Sequence, residues 1–162
     1  MTDLRGVNAI VTGSTRGLGF AIARALLAAG ANVIINGRTA AACEQAVERL
    51  RGFGPVGSAV GGVDDEATAD ALIHRCEQLF GPVNFVVNNA GITRDRSLLN
   101  MSVEEFDEVI AVHLRGTWLT CRAAARAMKD AGGGLVNITS GSALFGLVGQ
   151  SNYAPPRAAS MR

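Results

Sequence analysis

The sequence predicts an α/β fold: a Rossmann-type doubly wound parallel sheet in three layers, with strand order 3-2-1-4-5. Three observations predict it. Short apolar runs alternate with longer segments of helical period, which is the pattern of parallel strands joined by crossover helices. The strand segments are largely apolar, as in strands covered on both faces. The length of 162 residues suits one domain, so we treat 1–162 as a single unit.

Five segments fit the strand pattern. They are Asn8–Thr12, Asn32–Asn36, Gly57–Val60, Phe85–Asn88 and Leu135–Thr139. Because crossovers are right-handed and helices alternate between the two faces, we expect a cleft at the carboxyl ends of strands 1 and 4.

Three helices are predicted between the first four strands. Gly17–Ala29 carries an apolar face and stops at Gly30, while Ala40–Leu50 and Ala67–Phe80 repeat the same period. Asp65, or Asp64 before it, is the expected N-cap of the third helix.

A longer helix is predicted before strand 5. Ser102 and Glu105 form a capping-box signature, and the helical pattern that follows runs to about Asp130. Three consecutive glycines then release the chain into the last strand.

Composition excludes several classes of function. Lys and Arg number 15 against 14 Asp and Glu, and the arginines are scattered, which argues against binding to nucleic acid or to an anionic membrane. No apolar run approaches the ~18 residues of a membrane span, and residues 1–6 lack the apolar core of a signal peptide. We therefore expect a cytoplasmic protein.

The three cysteines favour neither a disulfide framework nor a zinc site. Cys43, Cys76 and Cys121 are odd in number, far apart and outside any C-x-x-C pair. Reduced, buried thiols and no metal are expected.

A glycine-rich loop joins the first strand to the first helix. Gly13, Gly17 and Gly19 follow the spacing G-x-x-x-G-x-G. Such a loop lets the backbone approach a pyrophosphate, whose negative charge the helix N-terminus favours. Taken alone, a purely structural turn is the alternative.

Two motifs together carry a family resemblance. T-G-x-x-x-G-x-G after the first strand and Asn88-Asn89-Ala90-Gly91 after the fourth resemble the short-chain dehydrogenase/reductase family over residues 4–154. The resemblance assigns residues to a nicotinamide dinucleotide, each also interpretable as a turn or cap: Gly13, Ser14, Arg16, Gly17, Leu18 and Gly19 at the pyrophosphate and ribose, Asp64 at the adenine, and Asn89, Ala90 and Gly91 at the nicotinamide ribose.

The end of strand 2 favours NADP(H) over NAD(H). It reads Asn36-Gly37-Arg38, without the carboxylate that would bind a ribose 2′-hydroxyl. Arg16 and Arg38 are available to pair with a 2′-phosphate instead. The alternative for Arg38 is a solvated surface residue.

The resemblance also implies a catalytic serine and tyrosine. Ser140 and Tyr153 lie thirteen residues apart, which is the family's spacing, and Ser142 is an auxiliary candidate. In the family the serine hydrogen-bonds the substrate carbonyl, and the tyrosine passes a proton to its oxygen. Tyrosine side chains have an intrinsic pKa of about 10, so this role requires a nearby cation.

Two positions depart from the family. Arg157 replaces the family lysine four residues after the tyrosine, and an arginine cannot release a proton, so activity should fall sharply. His113 stands where the family has an asparagine that orders a water. It could hold that water or could simply pack the helix.

Family members continue for roughly another third, so we expect strand 5 to be a sheet edge here. Codons for Ala-Ala-Lys read one base over can give Pro155-Pro156-Arg157, so a frameshifted tail at 155–162 is a hypothesis. Sequencing the coding DNA would test it.

Residues 91–106 look closest to 3-oxoacyl-carrier-protein or acetoacetyl-CoA reductases. The first hypothesis is thus an NADPH-dependent ketoreductase that acts on a 3-oxoacyl thioester. A cofactor-binding remnant with little turnover and a structural subunit of an intact partner are the alternatives. The helix at 103–130 is a possible homo-oligomer contact.

Overall fold

The computed structural model describes residues 3–159 and contains a five-stranded parallel sheet. The sheet order is β3-β2-β1-β4-β5, as predicted. The strands are β1 (Asn8–Val11), β2 (Asn32–Gly37), β3 (Val56–Val60), β4 (Phe85–Asn88) and β5 (Gly134–Asn137).

Helices cover both faces of this sheet. They are α1 (Gly17–Ala28), α2 (Ala40–Leu50), α3 (Glu66–Phe80), α4 (Val103–Ile110), α5 (Gly116–Ala127), α6 (Ser142–Phe145) and α7 (Ala154–Ala159). A 3₁₀ turn at Arg51–Phe53 follows α2, and a π-helical turn at Ala111–Arg115 joins α4 to α5.

Most predicted boundaries agree with the structure to within one residue, and two were wrong by more. The fifth strand ends at Asn137 and not at Thr139, because its register pairs Asn137 with Asn88, the last residue of β4. The long helix ends at Ala127 and not near Asp130, and the π-helical turn interrupts it. The capping box at its start is confirmed, with both Ser102–Glu105 hydrogen bonds at 3.1 Å.

Alternate side chains of the central strands pack into two separate hydrophobic cores, one on each face of the sheet. Ile10 and Ile34 point to the side covered by α3 and α5. Val11 and Ile35 point to the side covered by α1 and α2. Each of these side chains is fully buried and contributes about 1.5–3 kcal/mol by leaving water. The central strands are thereby fixed, and so are the loops at their carboxyl ends.

Strand β5 lies at the sheet edge, as expected, with Leu135 and Val136 exposed.

The cysteines are free, although Cys121 is only half-buried. Within residues 3–159, no helix combines the length and apolarity that crossing a bilayer would need. The same residues hold no cluster of His, Cys, Asp or Glu suited to a metal ion.

Candidate functional site

A cleft of about 580 Å³ lies at the carboxyl ends of β1, β2 and β4. This volume falls in the usual range for a small-molecule site. Most of the predicted site residues line it: Gly13, Arg16, Gly17, Leu18, Gly19, Arg38, Asp64, Asn89, Ala90, Gly91, His113, Tyr153 and Arg157.

The glycine loop and the segment after β4 pack backbone against backbone. A Cβ added at Gly13 would lie 2.7 Å from the Cα of Ala90, and Gly13 has a φ of +61°. Gly17 also has a positive φ, of +58°, and the space beside its Cα is open. Side chains at these positions would close the gap that the two segments share or strain the loop.

Thr12 joins the two segments through its hydroxyl. Its Oγ1 accepts hydrogen bonds from the backbone N–H groups of Asn89 and Ala90, both at 3.0 Å, and donates toward the carbonyl of Val87 at 3.4 Å. Asn89 Nδ2 donates in return to the carbonyls of Thr12 and Gly13, at 2.9 and 3.1 Å. Sequence reasoning placed Thr12 at the end of the first strand and in the motif, without a contact to the segment after β4.

Ser14 supports the loop from within and does not line the cleft. Its buried hydroxyl donates to the carbonyl of Val11 at 2.5 Å and accepts from the N–H of Asn36 at 3.0 Å. The Ser14 hydroxyl is therefore not exposed to the cleft, where the predicted direct contact with the cofactor would require it to be.

Asn36 has a structural role that the sequence analysis did not predict. There it served only to show that strand 2 ends without a carboxylate. Its Oδ1 accepts from the N–H of Gly13 at 3.2 Å. Its Nδ2 donates to the carbonyls of Ala59 and Gly61 at 3.2 and 3.1 Å. This one buried amide ties the glycine loop to β3.

Two cations and one apolar side chain border the open part of the cleft. Arg16 and Arg38 are exposed, and neither forms an ion pair with the residues described at 3–159. The apolar side chain is Leu18, which lies at the start of α1 and is 59% exposed. Asp64 is half-buried on the side of β3.

These features fit a dinucleotide. The open space beside Gly17, at the N-terminus of the twelve-residue helix α1, suits a diphosphate bound by backbone N–H groups. No acidic side chain follows β2, and two unpaired arginines border the same end of the cleft.

Tyr153, His113 and Arg157 meet at the other end of the cleft. The rings of His113 and Tyr153 are 4.9 Å apart, edge to face, and the Arg157 guanidinium carbon lies 5.4 Å from the tyrosine ring centre. Arg157 is only 7% exposed, and its Nη1 donates to the carbonyl of Ile138. Its Nε has no hydrogen-bond partner.

His113 projects from the π-helical turn and is 1% exposed. Its Nε2 lies 2.7 Å from the carbonyl oxygen of Ile92 and 3.0 Å from the N–H of the same residue, while its Nδ1 has no partner. A protonated Nδ1 would be a buried donor without an acceptor, so we assign the tautomer in which Nε2–H donates to the carbonyl of Ile92, the shorter of the two contacts. In this tautomer Nε2 does not also accept from the Ile92 N–H.

Burial also keeps this histidine neutral. The loss of solvent is the largest cause and, together with the nearby Arg157 charge and against the opposing Ile92 hydrogen bond, it lowers the pKa of His113 to about 4. At neutral pH the His113 ring therefore anchors the segment after β4 without carrying charge.

Ser140 lines a second, apolar-walled cavity beside the first. Thr93 and Tyr153 border both cavities, and Phe145 and Leu147 form part of the wall of the second. Ser140 Oγ accepts from the hydroxyl of Ser142 at 3.1 Å, which leaves its own proton free to donate. Tyr153 thus lies where the two cavities meet, with Ser140 in the second one.

Comparison with known proteins agrees with this arrangement. The family model described as short chain dehydrogenase matches residues 7–161. The chain belongs to this short-chain dehydrogenase/reductase family.

Several curated relatives carry oxidoreductase names. An uncharacterized oxidoreductase of Mycobacterium bovis is 41% identical over 93% of this chain and 62% of its own length. A hydroxyacyl-CoA dehydrogenase of Mycobacterium tuberculosis is 45% identical over 97% of this chain and 54% of its own. A 3-oxoacyl-[acyl-carrier-protein] reductase of Synechocystis is 37% identical over 98% and 65%. The chain therefore spans less than two thirds of the length of these relatives.

Proposed function

We propose that the cleft binds NADP(H) and that the site transfers hydride between the nicotinamide and a carbonyl or secondary alcohol. The observation that carries this proposal is the contact of the glycine loop with the segment after β4, around one cleft that ends at Tyr153. When bound, the nicotinamide supplies or accepts the hydride.

Backbone and arginine groups hold the cofactor in this proposal. The N–H groups at the start of α1 bind the diphosphate, and Arg16 and Arg38 pair with the 2′-phosphate. Asn89, Ala90 and Gly91 contact the nicotinamide ribose. Because neither arginine has a competing carboxylate partner among residues 3–159, both are available to the phosphate.

Tyr153 and Ser140 act on the substrate carbonyl. The Ser140 hydroxyl, already accepting from Ser142, donates its proton to the carbonyl oxygen and holds it beside Tyr153. The Tyr153 hydroxyl delivers a proton to that oxygen as hydride reaches the carbon. The Arg157 charge stabilises the phenolate that remains, and His113 fixes the Ile92 backbone behind the site.

A 3-oxoacyl thioester is the proposed substrate. Two relatives are named for such chemistry, one as a 3-oxoacyl-[acyl-carrier-protein] reductase and one as a hydroxyacyl-CoA dehydrogenase. The second cavity offers an apolar wall to an acyl chain.

A cytoplasmic location and a homo-oligomer through residues 103–130 belong to the same proposal. Val103 and Trp118 are exposed apolar residues on that helical segment.

Arg157 favours a second candidate, a cofactor-binding protein with little turnover. Its guanidinium is held by the Ile138 carbonyl and cannot release a proton to Tyr153. Proton delivery after each turnover is then slow.

Calorimetric titration and a turnover assay separate the two candidates. We expect the chain to bind NADPH about tenfold or more tightly than NADH, on the scale of a charge-assisted hydrogen bond. Oxidation of NADPH with acetoacetyl-CoA supports the reductase, and tight binding without oxidation supports the second candidate. Absence of binding to either nucleotide would refute both.

A further inference from the structure

The segment just before Tyr153 is fastened to the segment that follows the Asn-Asn-Ala-Gly motif. The carbonyl of Gly149 accepts from the N–H of Arg96 at 2.9 Å, and Gln150 Nε2 donates to Asp95 at 3.1 Å. A third link is Asn152, whose side-chain Nδ2 donates to the carbonyl of Arg94 at 3.0 Å.

Asn152 has the burial expected of a fixed structural contact. It is 0% exposed, and the same Nδ2 also reaches the carbonyl of Glu105 in the first turn of α4, at 3.3 Å. One amide group thus connects three segments: the turn that carries Tyr153, the loop at 92–96 and α4. A side chain without an N–H donor at this point would lose both of these contacts.

The first half of the 92–96 loop is consequently held at two points. His113 holds its start through Ile92, and Asn152 holds Arg94. Between these anchors lies Thr93, which borders both the cofactor cleft and the second cavity. The position of Tyr153 relative to this loop therefore depends on Asn152.

We propose that Asn152 is a positioning residue that sets Tyr153 against the 92–96 loop, where the cofactor and substrate cavities meet. This inference rests on the proposed function. Asn152 lines neither cavity, so it acts through its neighbours.

Two substitutions remove the amide donors. Asn152→Ala deletes them, and Asn152→Asp keeps the shape but turns a carboxylate toward two carbonyl oxygens. Ser151→Ala is the matched control, because among residues 3–159 the Ser151 hydroxyl reaches only the thioether of Met101, at 3.5 Å.

The single tyrosine of the chain gives a readout that is independent of turnover. Biosynthetic replacement by 3-fluorotyrosine places one ¹⁹F resonance at Tyr153. We expect one sharp resonance in the wild type and in Ser151→Ala, and a shifted or broadened one in both Asn152 variants. In the turnover assay, kcat should fall about 10- to 100-fold, the cost of a misplaced reacting group. The NADPH dissociation constant should change less than about threefold, because the phosphate-binding residues do not contact Asn152.

Wild-type ¹⁹F spectra in both Asn152 variants would overturn the inference, whatever the turnover. Equal losses in kcat and NADPH affinity would also overturn it, because they indicate general destabilisation. If the wild type binds no NADPH, the proposed function fails, whereas the ¹⁹F comparison without cofactor still decides the role of Asn152. Should the alanine variant not fold, Asn152→Ser carries the same two readouts.

Discussion

Acidification should destabilise this protein through His113. The folded state holds the His113 ring neutral with a pKa of about 4, whereas an unfolded histidine has a pKa of about 6.5. Between these values the unfolded chain binds a proton that the folded chain excludes. The His113 contribution is therefore fully present above pH 6.5 and is lost as pH falls from about 6.5 toward 4.

The size of this effect follows from the shift in pKa. About 2.5 pH units at ~1.4 kcal/mol each correspond to roughly 3 kcal/mol of unfolding free energy. That is a large part of the roughly 5–15 kcal/mol typical of a domain. The burial of His113 is the main physical cause, and the nearby Arg157 charge adds to it.

Urea unfolding between pH 7.5 and pH 4 measures the effect. The wild type should lose about 3 kcal/mol more than His113→Asn over this interval, because asparagine does not titrate. His74→Asn is the control, because it makes the same substitution at an exposed histidine of α3. If the wild type and His113→Asn lose stability in parallel, the histidine is not a neutral buried group.

Three further substitutions test the site. Thr12→Val leaves the Asn89 and Ala90 N–H groups without their acceptor and should lower the unfolding free energy by about 2–4 kcal/mol in urea. Thr120→Val, also buried, removes only a bond within α5 and should cost about 1 kcal/mol. Arg38→Ala should weaken NADPH binding about tenfold in calorimetry and leave NADH binding unchanged, while Arg51→Ala should change neither. Arg157→Lys, which restores a group able to release a proton, should raise kcat with acetoacetyl-CoA about tenfold or more.

Each of these has an outcome that contradicts it. Equal costs for the two threonine variants would show that Thr12 does not join the two segments. Parallel losses of NADPH and NADH affinity in Arg38→Ala would show that Arg38 does not pair with the 2′-phosphate. An Arg157→Lys variant no faster than the wild type would show that proton release at this position does not limit turnover.

The sheet order and the place of the cleft could be predicted because they depend on periodicity and on handedness. Apolar runs indicated the strands, and right-handed crossovers with helices on alternate faces favoured the order 3-2-1-4-5. The end of β5 could not be predicted in this way, since it depends on where its partner β4 stops, at Asn88. The π-helical turn around His113 likewise has no signature in the apolar pattern of α4 and α5.

The motifs identified the loops of the site but not which residues of each loop line the cleft and which support the loop from within. Ser14 and Gly13 are neighbours in one motif, yet the Ser14 hydroxyl turns inward to Val11 while Gly13 borders the cleft. Asn36 and Asn152 are polar residues whose contacts span 22 to 58 positions of sequence, so no local pattern reveals their buried hydrogen bonds.

The central claim is that the glycine loop and the segment after β4 bind one phosphorylated dinucleotide together. Amide NMR during a titration with NADPH tests it most directly, because both segments carry assignable backbone N–H groups. The account predicts that the resonances of Gly13, Gly17, Asn89 and Gly91 shift together and saturate at a single dissociation constant. Shifts confined to one of the two segments, or none in either, would contradict it.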